Sequence, residues 1–304
     1  MFGEQSVRGK VAVVTDSTAS LPEPVAAEDG ACLRLVAVVP LRLLAGGLVA
    51  DDGGAEADAV REAVARGERL TTARPPPDRF VAVYRAAAQA GARAVISLHL
   101  PETLSGTIVS AELAAAMSPV PVRVVDAMTI GTGLGLTVLE AARSAADGLG
   151  PDEVAARAAR YAELIGSFFA LAEPDALLAG GRFLTAGRDQ PSSSALDQAR
   201  PRLIFRPILR IRSGQIDLIE RVRTMAVAVS RLTELAANFA GDEPADVAIE
   251  HTANAGRAAD LGDRLGAAMP RIRRRYVVAS GAAIMAHVGH GMVGVTVAPH
   301  PADV

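Results

Sequence analysis

A chain of 304 residues, 50% of them hydrophobic, carries enough apolar material for a sizeable core and, by its length, for two domains. A formal net charge of −3, an aromatic content of 3% and the absence of tryptophan argue against the basic, base-stacking surface of a nucleic-acid binder. The single cysteine, Cys32, excludes an internal disulfide and a cysteine-built metal cage.

The first ten residues lack the apolar centre of a signal peptide, and no apolar run reaches the roughly 18 residues that span a bilayer. The expectation is a soluble, cytoplasmic protein. Three short Val-rich runs, at 11–15, 92–98 and 122–127, are continuous rather than alternating, as strands covered on both faces are. Cys32 lies in another apolar stretch, "ACLRLVAVVP", and is assigned to the core. Helical patterns follow at 77–91, 107–117 and 131–148, the last ending on Gly148 as its terminal glycine. Strand–helix alternation of this kind predicts a mainly parallel, helix-covered α/β sheet with its functional loops at the carboxyl ends of the strands.

The second half has a different rhythm. A helix over 154–166 leads to a strand at 167–172, and 191–201 reads as a loop or short helix. Residues 206–224 predict a hairpin turning at Ser213-Gly214. A helix over roughly 224–240, an apolar run at 245–254, a helix at 255–268 and a terminal strand at 292–299 complete an α+β pattern. The predicted organisation is therefore an α/β domain over 10–165 and an α+β domain over 166–304.

Several short stretches carry chemistry. In "VVTDSTASLP", Ser17 follows an apolar strand; it serves either a structural turn or the floor of a site at the strand end. "LTTARPPPDRF" sets Thr71 and Thr72 ahead of three prolines that stiffen a loop and start a helix near Asp78. "LSGT", residues 104–107, puts Ser105, Gly106 and Thr107 between a strand and an alanine-rich helix. Gly106 suits a tight turn, and the first helical N–H groups attract an anion such as a carboxylate or phosphate; a plain helix cap at Ser105 is the alternative. A hydrolase with Ser105 as nucleophile, His287 as base and Asp126 behind it is a further reading, although the G-x-S-x-G elbow is missing. "GTGLG" at 131–135 lacks dinucleotide spacing and reads as a helix start packed closely on the sheet. "GGR" at 180–182 reads as a helix end with a loop arginine. "HVGHG", 287–291, holds His287 and His290 in a glycine-bracketed loop without a clear third metal ligand.

In order along the chain, these stretches resemble the motifs of the DegV family of bacterial fatty-acid-binding proteins. "TDSTASLP" resembles T-D-S-x-x-x-L-P, Thr72-Ala73-Arg74-Pro75 stands where the family has T-S-Q-P, and Leu104-Ser105-Gly106-Thr107 matches L-S-G-T. "VVDAMTIGTGLG", "LLAGGRF", "FRPILRIRSGQI" and "AHVGHG" resemble the V-x-D-S, L-x-x-G-G-R-I, K-P-I-L-x-x-x-D-G and H-T-G-P-G runs. The resemblance implies two domains enclosing a long-chain fatty acid, with no cofactor, no metal and no catalysis of the protein's own. It implies that Thr72, Ser105 and His287 bind the carboxyl head, with Ser17, Gly106 and Thr107 in support. A separate fatty acid kinase would phosphorylate the presented carboxyl group to an acyl-phosphate for phospholipid synthesis. Arg182 and Arg223 are candidates for the kinase-facing surface, and lipid exchange implies transient membrane contact. Ala73, Arg74, Val288, His290 and Ala127 depart from the family residues. The same serine and helix start also fit a serine hydrolase or a phosphate-binding α/β module.

Overall fold

The computed structural model describes residues 7–23, 27–172 and 205–300. In chain order its first half reads β1 (Val11–Asp16), α1 (Ala27–Leu33), β2 (Val36–Val39), β3 (Arg42–Ala45), β4 (Leu48–Asp51), α2 (Ala57–Ala65), β5 (Thr71–Ala73), α3 (Pro77–Gln89), β6 (Ala94–His99), α4 (Thr107–Ala115), β7 (Val122–Asp126), α5 (Thr132–Ala146) and α6 (Pro151–Leu164). The second half reads β8 (Gly166–Ala170), β9 (Arg206–Arg212), β10 (Gln215–Val222), α7 (Met225–Ala240), β11 (Ala245–His251), α8 (Ala255–Ala268), β12 (Ile272–Ala279), α9 (Ala282–Val288) and β13 (Val293–Pro299).

Four parallel strands form the first sheet in the order β2-β1-β6-β7. Every residue of β1 and β6 is buried, which is why both read as unbroken apolar runs. α3 and α4 pack on one face, and α1, α5 and α6 on the other. α3 does so through Phe80, Val81, Tyr84 and Ala87, spaced to share one side of a helix that Pro77 starts. Gly148 follows α5 at φ +87°, the left-handed ending expected of it.

The second sheet has six strands in the order β10-β9-β8-β13-β11-β12, antiparallel except for the β11–β12 pair. α7 and α8 cover one of its faces. The hairpin turn falls at Ser213-Gly214, whose φ values of 49° and 73° suit a two-residue turn between twisted strands. α5 packs against β1 and β6 of the first sheet and also β8, β11 and β13 of the second. It is buried nearly all round, and its glycines permit that contact: a Cβ at Gly135 would stand 2.3 Å from the carbonyl oxygen of Ser20.

Several features that position the site differ from the sequence reading. β2 lies within the run assigned only to the core around Cys32, which itself is buried in α1. Residues 42–51 form a hairpin through Gly46-Gly47, where the sequence reading has no element. The stretch at 71–73, read as part of a stiff loop, is a strand: β5 pairs with β3 and completes a small three-stranded sheet, β4-β3-β5. His287, read as a loop residue, occupies the last turn of α9, because "AAIMAHV" sustains helix up to Gly289. The expected loop at 191–201 lies outside the described residues.

Candidate functional site

A cavity of about 600 Å³ lies where the two sheets, β5 and α9 meet. That is within the range of small-ligand pockets, about 300–1,000 Å³. Much of its wall is apolar: Leu104, Phe169, Ile211, Ile216, Ile284 and Met292 line it and belong to one buried cluster.

Three residues singled out from the sequence face this space together. Thr72 comes from β5, Ser105 from the turn before α4, and His287 from the end of α9. Thr72 Oγ1 and His287 Nε2 share a hydrogen bond of 2.7 Å across 215 residues of chain. That contact exists because β5 pairs with β3 while α9 packs on both strands. Ser105 Oγ shares a 2.9 Å hydrogen bond with Thr107 Oγ1, and Thr107 is fully buried behind it. Gly106 lines the cavity as the N-cap of α4, and among the described residues no side chain caps that helix. The reading of Ser105 as a plain helix cap is therefore incorrect.

The glycine at 106 also has a different reason from the one expected. Its φ of −77° is open to any residue, so no tight turn requires it. A Cβ there would meet Arg74, at 2.7 Å from Nη1 and 3.2 Å from Cδ. Gly106 makes room for a guanidinium.

Ser17 supports the wall from outside the cavity. Its Oγ accepts a 3.0 Å bond from the backbone N–H of Leu41, and Leu41 is a lining residue. Asp126 braces a loop by accepting from the N–H groups of Glu102 at 3.0 Å and Met128 at 2.8 Å. His287 Nε2 meets Thr72, while Ser105 meets Thr107. Arg223 is exposed just before α7. Arg182 and the "GGR" run lie outside the described residues.

Two polar constellations escaped the sequence reading. Beneath the carboxyl ends of β1 and β6, His99 is bonded through Nδ1 to Asp16 Oδ2 at 2.9 Å and through Nε2 to Ser97 Oγ at 2.7 Å, and Ser97 continues to the Tyr84 hydroxyl at 2.8 Å. All four side chains are fully buried, and burial pushes the Tyr84 phenol up to about 12 against the smaller opposing effect of its Ser97 bond. Ser97, His99 and Asp16 thus repeat the connectivity of a hydrolytic triad, sealed beneath the cavity floor and not among its lining residues. Its link to the cavity is structural: Asp16 accepts from the N–H groups of Thr18 and Leu100, which line the wall.

The second constellation is centred on Glu250 of β11, buried at the cavity wall. It accepts from Ser20 Oγ at 2.5 Å, Ser280 Oγ at 2.8 Å and the Thr132 N–H at 3.0 Å. Residues from both halves of the chain thereby meet on one carboxylate, placed at the amino end of α5 where helix donors and dipole favour an anion. Burial lowers the pKa of the neighbouring His251, and the Glu250 charge opposes that shift. The only sequence signal was a lone acid in the apolar strand "VAIEH".

Against known proteins, the family model described as an uncharacterised protein of the DegV family matches residues 10–300. The chain belongs to the DegV family. A DegV domain-containing protein of Streptomyces coelicolor is 37% identical over 288 residues, which cover 94% of this chain and 98% of that one. A solved DegV family protein from Thermus thermophilus, described as fatty acid binding, has a TM-score of 0.80 at 27% identity, covering 96% of this chain and 100% of its own. DegV of Bacillus subtilis, described as a fatty acid binding protein, has a TM-score of 0.78 at 27% identity, with 96% and 99% covered. Among the described residues, no helix is long and apolar enough to cross a membrane.

Proposed function

We propose that this DegV protein binds one long-chain fatty acid in the cavity, its carboxyl head at Thr72, Ser105 and His287 and its chain along the wall of Ile211, Ile216, Phe169 and Met292. The observation that carries this reading is the joint presence, on one largely apolar cavity, of the Thr72–His287 pair and the Ser105 hydroxyl. Fatty acid binding by the Thermus thermophilus and Bacillus subtilis relatives supports it.

The division of labour follows from magnitudes. At about 0.8 kcal/mol per buried CH₂, a C16 tail gains on the order of 10 kcal/mol before the costs of binding. The tail supplies affinity, and the hydroxyls and imidazole set the register of the head. An apolar wall of this kind suits an acyl chain better than a sugar phosphate. A Ser105 bonded to Thr107 suits a hydrogen-bond donor better than a nucleophile.

In this reading the protein is a carrier without catalysis of its own. It presents the carboxyl group to a separate fatty acid kinase, which phosphorylates it to an acyl-phosphate for phospholipid synthesis. Exposed Arg223 is a candidate for the surface that meets the kinase, and transient membrane contact would serve lipid exchange. Native mass spectrometry of the purified protein tests the ligand: a co-purifying fatty acid is expected. A delipidated protein that takes up neither oleate nor palmitate at micromolar concentration ends the proposal. Phosphorylation of the bound acid by a bacterial fatty acid kinase tests the partner separately.

A further inference from the structure

The head-group end just described consists of neutral hydroxyls and one imidazole. An ionised carboxylate entering an apolar cavity needs more than that, because burying a charge without a partner is costly. Arg74 supplies what is missing. It lines the same cavity as Thr72 and Ser105, immediately after the strand that carries Thr72. Its Nη1 lies 3.5 Å from the carbonyl oxygen of Gly106, and its Cδ and Nη1 fill the space that any side chain at 106 would take. The guanidinium is therefore laid across the turn that presents Ser105.

Its backbone is restrained as well. Pro75, Pro76 and Pro77 follow directly, and a residue before proline is confined to extended conformations. Arg69, on the other side of β5, lines the cavity too, so positive charge flanks the strand of Thr72 on both sides. The acidic group on the same cavity wall, Glu250, is already engaged by Ser20, Ser280 and the N–H of Thr132. A planar fork of donors with a permanent charge matches a carboxylate better than a hydroxyl or an ester.

We infer that Arg74 is the ionic anchor of the head group and makes the cavity selective for ionised acids over neutral lipids of the same chain length. The inference rests on the fatty-acid reading above and adds to it the residue that reads the ligand's charge. Arg74 acts on binding and position, not on a reacting bond.

The test compares oleate with oleyl alcohol on delipidated wild type, Arg74→Gln and Arg74→Lys, by displacement of a fluorescent fatty acid. Because Arg74 is solvent-exposed, the loss for Arg74→Gln on oleate is expected to be roughly five- to tenfold, with oleyl alcohol unchanged. Arg74→Lys should recover part of the oleate affinity. Raising salt from about 0.05 to about 1 M, which shortens the screening length roughly fourfold, should weaken oleate binding to wild type and leave Arg74→Gln nearly flat. Equal losses for both ligands, or no loss for either, overturn the inference. A wild type whose oleate affinity ignores salt overturns it even if the variant does not fold. If wild type binds no oleate at all, the fatty-acid reading itself fails.

Discussion

α4 and α5 both begin at the cavity wall from a glycine, Gly106 in one case and Gly131 in the other. At α5 the end is closed. The protein's own Glu250 accepts the first-turn N–H of Thr132, Gly131 holds φ +66°, and a Cβ there would stand 2.4 Å from Glu250 Oε2. At α4 the glycine backbone is ordinary, no side chain among the described residues caps the helix, and the neighbouring group is the cationic Arg74. Two identical-looking helix starts thus have opposite uses. One is consumed in joining the halves of the molecule; the other faces the space where an anionic ligand is proposed.

Glu250→Ala tests the closed end most severely. It leaves the hydroxyls of Ser20 and Ser280 and the N–H of Thr132 without their acceptor, and a loss of about 3 kcal/mol is expected in urea unfolding. A loss below about 1 kcal/mol would mean that water replaces the carboxylate freely and that the contrast with α4 is illusory. Alanine at each glycine sharpens it further. Gly131→Ala meets both backbone strain and a collision with Glu250, and should cost about 2–4 kcal/mol. Gly106→Ala meets only the mobile end of an arginine, and its stability should stay within about 0.5 kcal/mol of wild type.

Ser105→Ala probes the open end. Its hydroxyl binds no backbone donor of α4, so the unfolding midpoint should hold, while fatty acid affinity falls roughly five- to tenfold, or about 1 kcal/mol. An unfolded variant by circular dichroism would return Ser105 to a purely structural role. The smallest effect expected is one of pH. His251 is buried beside Glu250 with its pKa lowered by desolvation, so the unfolded chain takes up a proton at higher pH than the folded one. Its contribution is present above the ordinary histidine range and fades as pH falls through it. Between pH ~7 and ~5, His251→Asn should therefore lose less stability than wild type in urea titrations. Equal slopes would show that His251 is solvated in both states.

Much of the architecture was legible because its elements are long or have one-sided chemistry. The doubly covered strands β1 and β6 appear as pure apolar runs, and the Ser213-Gly214 turn separates two clear strands. The Gly46-Gly47 turn carries an equally specific signal, with φ values of 57° and 78°. Its strands are four residues each and "RLLAGGLVAD" is apolar almost throughout, so no alternation marks them in the sequence. β5 is hidden with that hairpin, since the partner of Thr71–Ala73 is β3.

Local chemistry was enough to pick out Ser105, because a Ser-Gly-Thr turn between a strand and a helix is visible within a few residues, whereas Thr72 and His287 were nominated by the resemblance to the DegV motifs. Whether those groups share a wall is a different kind of fact. It depends on β5 pairing with β3, on α9 lying across both, and on the packing of α5 between two sheets. The same holds for Gly106, whose reason is the Arg74 side chain 32 residues away, and for Glu250, whose donors come from residues 20, 132 and 280. Propensity and turn chemistry act over a handful of residues, whereas burial and hydrogen-bond partners are settled only when distant segments exclude water from one another.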